Sequence, residues 1–571
     1  MNNSFSEKAK AILTELLGGN DFKLQESKLA PQMKGTDHPI YGVFLSVCNK
    51  KERARIFRCA ADTLEDAWSG AYSAAEKYIS AHEFDCCWLK ADIISNTEKA
   101  KFKDVVETAS SGFHEFFRRG ISFDSDLSTA LIEAEINCNR VISYKKKDIE
   151  LTVVNKYLSK TCGKTLIEFP DEVVLFDCIG YFCGEDGKVL PLHGAGLDVG
   201  RRNLGEITKE RTLDVIMTSS EYLSMMVHDD GKFDYGFYPI FHKEIPGYNI
   251  MRHATSIWSL ICAYRLTHDK FTLQQAEKAI AYMVNNTYNK YNLPADKENT
   301  VYLAELTKNE IKVGGNGVAV IMLTEYMDVI GEKKLKKLCT EIGNGILELF
   351  DNRNGEFFHV LNFPSLSPKD KFRTVYYDGE SVFALARLYG LTGEQKWLDA
   401  AAKAADRFIR EDYTKHADHW VAYAMNELTK YLPKEKYFEF ALRNVQVNLK
   451  KIYRRKTTYH TYLELLCVSY ELYQRIIDEK IKVAYLDEFD AEFFIDTIFR
   501  RAEHMLNGYA YPEYVMYFKY PEQALGAFFV RHDGYRIRID DIQHFCGAYY
   551  SFYKNYDRLS ELRRSFRNNK N

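Results

Sequence analysis

The sequence predicts a mainly α fold in which six buried helices form an inner ring, six amphipathic helices wrap it, and a smaller α+β domain precedes it. Three observations carry this. A segment type recurs six times between about residue 248 and the C-terminus, each copy running from a short polar or glycine-bearing cluster into an apolar helix with a Tyr-rich end. Between the copies lie helices with one charged face, spaced i, i+3, i+4 and i+7 in their apolar residues. Residues 38–160, by contrast, alternate strand and helix patterns.

In chain order, Ile40–Val47 and Arg53–Cys59 read as a strand pair around the turn Asn49-Lys50-Lys51-Glu52. Asp62/Thr63 cap a helix over Thr63–Ile79, and Cys87–Ile94 is a third strand. A helix over Lys101–Arg118 and strands around Gly120–Phe123 and Asn137–Tyr144 complete a domain over 1–164, with Tyr144-Lys145-Lys146-Lys147 as a solvated loop. Residues 165–204 read as a strand-rich connector, with Val173–Cys183 and Lys188–Leu192 flanking the hairpin turn Glu185-Asp186-Gly187. The connector is expected to cover a rim of the ring. His193-Gly194-Ala195-Gly196 and Gly200-Arg201-Arg202-Asn203 either cradle an anion through backbone N–H groups or serve as a plain linker.

The ring occupies 205–571. Its inner helices open at Tyr248–His253, Gly314–Gly317, Tyr376–Glu380, Asp418–Trp420, Tyr459–Tyr462 and Asp540–His544. The outer helices are Lys209–Val227, Leu273–Asn286, Lys333–Phe350, Gln395–Ile409, Glu435–Lys450 and Glu488–Leu506. Turns at Asp229-Asp230-Gly231 and Asn352-Arg353-Asn354-Gly355 start hairpins with aromatic arms, expected at the substrate rim. Because each part can bury a core of its own, a chain starting near Arg201 is expected to fold.

Composition narrows the function. Lys+Arg 77 against Asp+Glu 80, interspersed, gives a net charge of −3 and argues against nucleic acid as a partner. Aromatics are 14% of the chain, 39 of them Tyr, residues that stack on sugars as well as pack interiors. The N-terminus has no apolar leader pattern and the chain no run of about 18 apolar residues, which predicts a soluble, cytoplasmic protein without a membrane span and leaves oligomerisation open. Twelve scattered Cys predict reduced core thiols; without CxxC or HExxH, neither a metal nor a cofactor is expected.

The passage Tyr377-Asp378-Gly379-Glu380-Ser381-Val382-Phe383-Ala384-Leu385-Ala386-Arg387-Leu388-Tyr389, followed by Leu391-Thr392-Gly393-Glu394, resembles one hairpin of the (α/α)6 toroid. The turns Leu266-Thr267-His268-Asp269 and Val329-Ile330-Gly331-Glu332 sit at corresponding places. This is the barrel of the six-hairpin glycosidase superfamily: glycoside hydrolases, polysaccharide lyases and sugar 2-epimerases. The resemblance covers roughly residues 205–560 and implies a carbohydrate substrate. It also implies that all inner helices run in one sense, so that their N-termini, with free N–H groups and partial positive charge, share one funnel.

Two chemistries compete for that funnel. Glycoside cleavage needs a protonated and an ionised carboxyl group; of Asp378, Glu380, Asp418, Asp540 and Asp541, Glu380 is assigned as acid and Asp541 as base, although Asp378, Asp418 and Asp540 also read as helix caps. Alternatively His419 and His544, with His253 and His460 near other helix starts, supply acid and base for sugar epimerisation, as the epimerases of the superfamily do. Tyr248, Asn249, Arg252, His253, Asn316, Tyr377, Trp420, His460, Asp540 and Gln543 are expected to hold the substrate. A third reading is a non-catalytic or peptide-modifying toroid of the lanthionine-cyclase type. Only His544 and Cys546 approach its zinc set, since Cys262 and Cys467 lie mid-helix.

Overall fold

The computed structural model describes residues 2–36, 38–111, 116–143, 148–286, 288–289 and 299–568. Its inner helices are Ile250–Thr267, Val313–Ile330, Tyr376–Thr392, His419–Tyr431, Thr461–Asp478 and Ile539–Asn568. Each packs on the next, and the last packs on the first, so the ring closes. Val313–Ile330 is buried along most of its length because apolar residues occupy nearly every side of it.

The outer helices are Lys209–Met225, Lys270–Asn286, Lys336–Glu348, Gln395–Arg410, Glu435–Gln446 and Ala491–Met505. They are amphipathic, and Lys209–Met225 sits between the sixth and first inner helices. The architecture is therefore the (α/α)6 toroid. Among the described residues no helix is long and apolar enough to cross a membrane, and all twelve cysteines are free.

Glycine sets how closely the inner helices meet at the rim. A Cβ on Gly379 would lie 2.8 Å from the backbone carbon of Trp420, on the next inner helix. Gly379→Ala is therefore expected to force the third and fourth inner helices apart and cost about 1–3 kcal/mol. The midpoint of urea unfolding measures this, and an unchanged midpoint would show that the contact is slack.

In front of the ring lies an antiparallel sheet of six strands: β1 (Tyr41–Cys48), β2 (Arg55–Ala61), β3 (Trp88–Lys101), β4 (Gly120–Ser122), β5 (Glu172–Cys183) and β6 (Val189–Leu192). The order is β2-β1-β3-β5-β4, with β6 beside β5. The hairpin expected to be a connector is thus part of this sheet: β5 pairs with β3 from Leu89↔Cys183 to Lys101↔Glu172. That pairing carries β3 seven residues past Ile94, through polar Ser95–Lys101, beyond the reach of β1, whose pairing stops at Ile93.

Leu64–His82, capped by Thr63, packs on β1 and β2. Two helices not anticipated from sequence, Asn2–Leu17 and Phe22–Leu29, precede the sheet. The expected helix over Lys101–Arg118 is Phe102–Ser111. The expected strand Asn137–Tyr144 shrinks to Ile142–Ser143 after a helix, Glu133–Cys138, and the loop 144–147 lies outside the described residues.

Sheet and ring meet through residues 506–536, between the last outer and last inner helices. Ala54 N–H donates to Met516 O at 2.7 Å, and Tyr517 Oη donates to Ser46 Oγ at 2.9 Å. Arg202 forks onto Glu513 at 2.8 and 2.6 Å. One apolar core runs without a break from Leu45 and Trp88 in the sheet, through Met516 and Phe518, to the inner helices.

Candidate active site

Five of the six inner helices present their first turns to one cavity of ≈ 400 Å³, within the usual range for small-molecule sites. Arg252 comes from the first, Glu380 from the third, His419 and Trp420 from the fourth, His460 and Thr461 from the start of the fifth, and Asp540, Asp541 and His544 from the sixth. Tyr376, Trp420 and Tyr459 give it aromatic walls for the apolar faces of a sugar.

The hairpin after the first outer helix belongs to this rim. Its strand Gly236–Tyr238 pairs with Ile537–Arg538, so Ile537 lies opposite Phe237. This pairing places Arg536 and Arg538 immediately above the last inner helix. Arg536 binds both oxygens of Asp541, at 2.9 and 2.8 Å. Asp540 is held by Arg538 and by Arg252, whose Nε is 2.9 Å from its Oδ2. Burial pushes the Asp541 carboxyl up, but the hydrogen bonds from Arg536 and His460 outweigh it and keep it well below the ordinary carboxylate range. An acceptor so occupied is a poor proton base, which weighs against the role expected of Asp541 in glycoside cleavage.

Beneath the arginines lies a cluster of imidazoles. The rings of His460 and His544 stack at 4.8 Å with 5° between planes, and His419 meets His544 edge-on at 5.2 Å. Glu464, one turn below His460 on the same helix, accepts from His544 Nδ1 at 2.7 Å and lies 3.8 Å from His419 Nε2. Burial lowers the His544 pKa, but the Glu464 carboxylate more than reverses this and raises it above the ordinary value. The other two move down: His419 by burial and its imidazole neighbours, His460 chiefly by burial. Among the described residues, neither nitrogen of His419, nor Nδ1 of His460, has a hydrogen-bond partner.

His419, Glu464 and His544 also form a set whose ligand atoms lie within 4.8 Å of one another. Two His and a Glu is a donor set zinc accepts. Here His544 Nδ1 and Glu464 Oε2 are bonded to each other, so both would have to turn to share an ion.

Glu380 is buried, its Oε2 has no hydrogen-bond partner, and burial together with Asp418 and Asp378 raises its pKa well above the carboxylate range. A Cβ on Gly314 would lie 2.0 Å from Oε2, so the second inner helix reaches this carboxyl only through a glycine. The raised pKa means that ionisation opposes folding: stability is intact below the ordinary carboxyl pKa of about 4.3 and falls as pH rises beyond it. Glu380→Gln is therefore expected to gain on the wild type in urea midpoint between pH 4 and pH 8. A constant difference over that span would show that the carboxyl is not held neutral.

Several residues expected at the site do other work. Asp378 accepts from Tyr413 Oη at 2.9 Å and from Arg407 Nη1 at 3.3 Å, tying its helix to an outer one away from the cavity. His253 is fully buried between Tyr248 Oη (2.7 Å) and Ala279 O (2.9 Å), and burial pushes it down to about 4. Tyr248 thus supports a core histidine, and Asn249 caps the first inner helix by accepting from the N–H groups of Met251 and Arg252. Asn316 accepts from Leu303 N–H at 2.8 Å and donates to Lys312 O at 2.8 Å, fastening a hairpin to the second inner helix. Tyr377 and Gln543 are buried and do not line the cavity. Asp418 caps the fourth inner helix through Trp420 N–H, and burial pushes its carboxyl up to about 7. The cavity in turn holds residues not anticipated, Arg536, Arg538 and His532, with Glu464 behind the imidazoles, and the first residues of two expected openings, Tyr376 and Tyr459.

No family model and no curated protein matches this chain. Solved structures do. A D-mannose isomerase is 14% identical over 61% of this chain and 98% of its own, with a TM-score of 0.46. A cellobiose 2-epimerase from Bacillus thermoamylovorans B4167 is 13% identical over 61% and 100%, with a TM-score of 0.48. An unsaturated glucuronyl hydrolase specific for heparin is 11% identical over 61% and 99%, with a TM-score of 0.42.

Proposed function

We propose that this chain is a carbohydrate-active enzyme that moves a proton on a carbon beside a sugar carbonyl, as an epimerase or isomerase. One observation supports this above the rest: two stacked imidazoles whose surroundings drive their pKa values apart, His544 upward and His460 downward. Groups separated in this way are suited to act as acid and base at one pH.

His460 is neutral and accepts the proton at Nδ1, a nitrogen without a hydrogen-bond partner that is buried in this conformation and has to be opened to the cavity by a turn of the ring. Asp541 Oδ1, 3.7 Å from Nε2, steadies the imidazolium that results. Removing the proton converts the aldehyde or ketone to an enediolate. His544 is charged and has Nδ1 committed to Glu464, so it returns a proton from Nε2. Return to the same carbon from the other face inverts it; for isomerisation the neighbouring hydroxyl proton passes to the former carbonyl oxygen and the carbon proton returns to the former carbonyl carbon, which moves the carbonyl. Glu380, neutral, can donate a hydrogen bond to the carbonyl oxygen while charge collects there.

The test is incubation with a panel of reducing sugars in D2O, followed by NMR. Deuterium entering beside the carbonyl supports the reading. Glycosidic cleavage of oligosaccharides without such exchange sinks it in favour of hydrolysis, the reading that Glu380, a neutral carboxyl at the cavity wall, supports on the acid side.

A further inference from the structure

The cavity does not end at the imidazoles. Thr458 and His532 line it and also line an adjoining annexe. Phe116 and Arg118, from the part of the chain that precedes the ring, form one wall of the annexe, and Lys456 and Arg531 form others. Arg118 donates to Lys456 O at 3.2 Å, which joins the two walls. No Asp or Glu is among the residues lining the annexe. Nearby Asp198 is engaged by Asn507 Nδ2 at 2.5 Å and by Arg201 at 3.6 Å.

Arg531 makes the charge imbalance specific. Its guanidinium lies between the rings of Phe116 and Tyr514, 3.6 and 4.8 Å from their centres, and the residue is 6% exposed. It donates to Val199 O at 2.8 Å, its Nε has no partner, and it forms no ion pair with a carboxylate among the described residues. In the main cavity, Arg252, Arg536 and Arg538 each face an aspartate. A buried cation without a counter-ion is costly, and an anion that enters beside it removes that cost.

We propose that the annexe is a subsite for an anionic group, phosphate or carboxylate, carried by the substrate whose carbonyl end sits in the main cavity. This rests on reading that cavity as a sugar site. With ≈ 10 Å³ of free space, the annexe has room for about one water-sized group. It therefore takes an oxygen of the anion, while the rest of the group stays at Thr458 and His532. Residues ahead of the ring would then take part in choosing the substrate.

Calorimetric binding of glucitol, glucitol 6-phosphate and gluconate tests this without turnover, because none of the three is an aldehyde or a ketone. The full-length protein is expected to bind one or both anions at least tenfold more tightly than glucitol, and the stronger of the two identifies the group. Arg531→Gln should erase most of that preference while leaving glucitol affinity alone. Lys456→Gln, an exposed change that folding tolerates, should reduce it threefold or more. Equal affinity for all three compounds, or a preference that survives both substitutions, overturns the subsite. Failure of all three to bind removes the sugar site and the subsite together. Anion preference without deuterium exchange would sink only the proposed reaction.

Discussion

His544→Asn is expected to slow deuterium exchange by about 10²–10⁴-fold, the usual contribution of a positioned acid or base. Asparagine retains a polar group near Glu464 but cannot return a proton. The pH profile gives a second check. Activity needs His460 neutral and His544 charged; the first pKa is lowered and the second raised, so the plateau should extend on both sides of the ordinary histidine value of about 6.5. Glu464→Gln removes the carboxylate that raises His544, so the alkaline limb should move to lower pH; the acid limb, set by His460 on which Glu464 acts only weakly, should move less and in the same direction. A Glu464→Gln profile with its alkaline limb unmoved would mean that His544 is not the acid.

The second large effect concerns the sheet. A chain starting at Arg201 is expected to lose cooperative unfolding, contrary to the separability that the sequence suggests. Met516 and Phe518 are fully buried in the core shared with the sheet, and each large apolar side chain so exposed costs about 1.5–3 kcal/mol. Together with the lost hydrogen bonds at Ala54 and Tyr517, this rivals a whole domain's stability of about 5–15 kcal/mol. A sharp thermal transition in the truncated chain would show that the ring stands alone.

The ring was legible because each inner helix repeats one local pattern, a polar opening and then apolar residues on nearly all sides. Which opening residues face the axis was not legible. Asp378 and Glu380 are two positions apart, so at 3.6 residues per turn they point to opposite sides of their helix. One meets outer-helix Arg407 and the other the cavity. His253, buried behind its helix, and His460, lining the cavity, diverge for the same reason.

Arg536 and Arg538 escaped notice because they precede the helix and are placed by a strand pairing with residues some three hundred positions earlier. Glu464 sits one turn below the opening, although an acid inside Tyr-Leu-Glu-Leu-Leu was itself a cue. The supposed connector failed likewise: β5 reads as a strand, but nothing local says that its partner is β3.

Closure of the ring by its last helix has a consequence for biogenesis. At about 5–20 residues per second the ribosome takes roughly half a minute to two minutes to complete this chain. Asp540, Asp541 and His544 emerge only after the other five inner helices. Until then the first inner helix lacks one neighbour, and its apolar flank stays open to water or to another chain. Contacts this distant in sequence also form slowly once the chain is free. A ring still lacking its last helix is an open crescent, the form most in need of a chaperone and most exposed to pairing with a second unfinished copy.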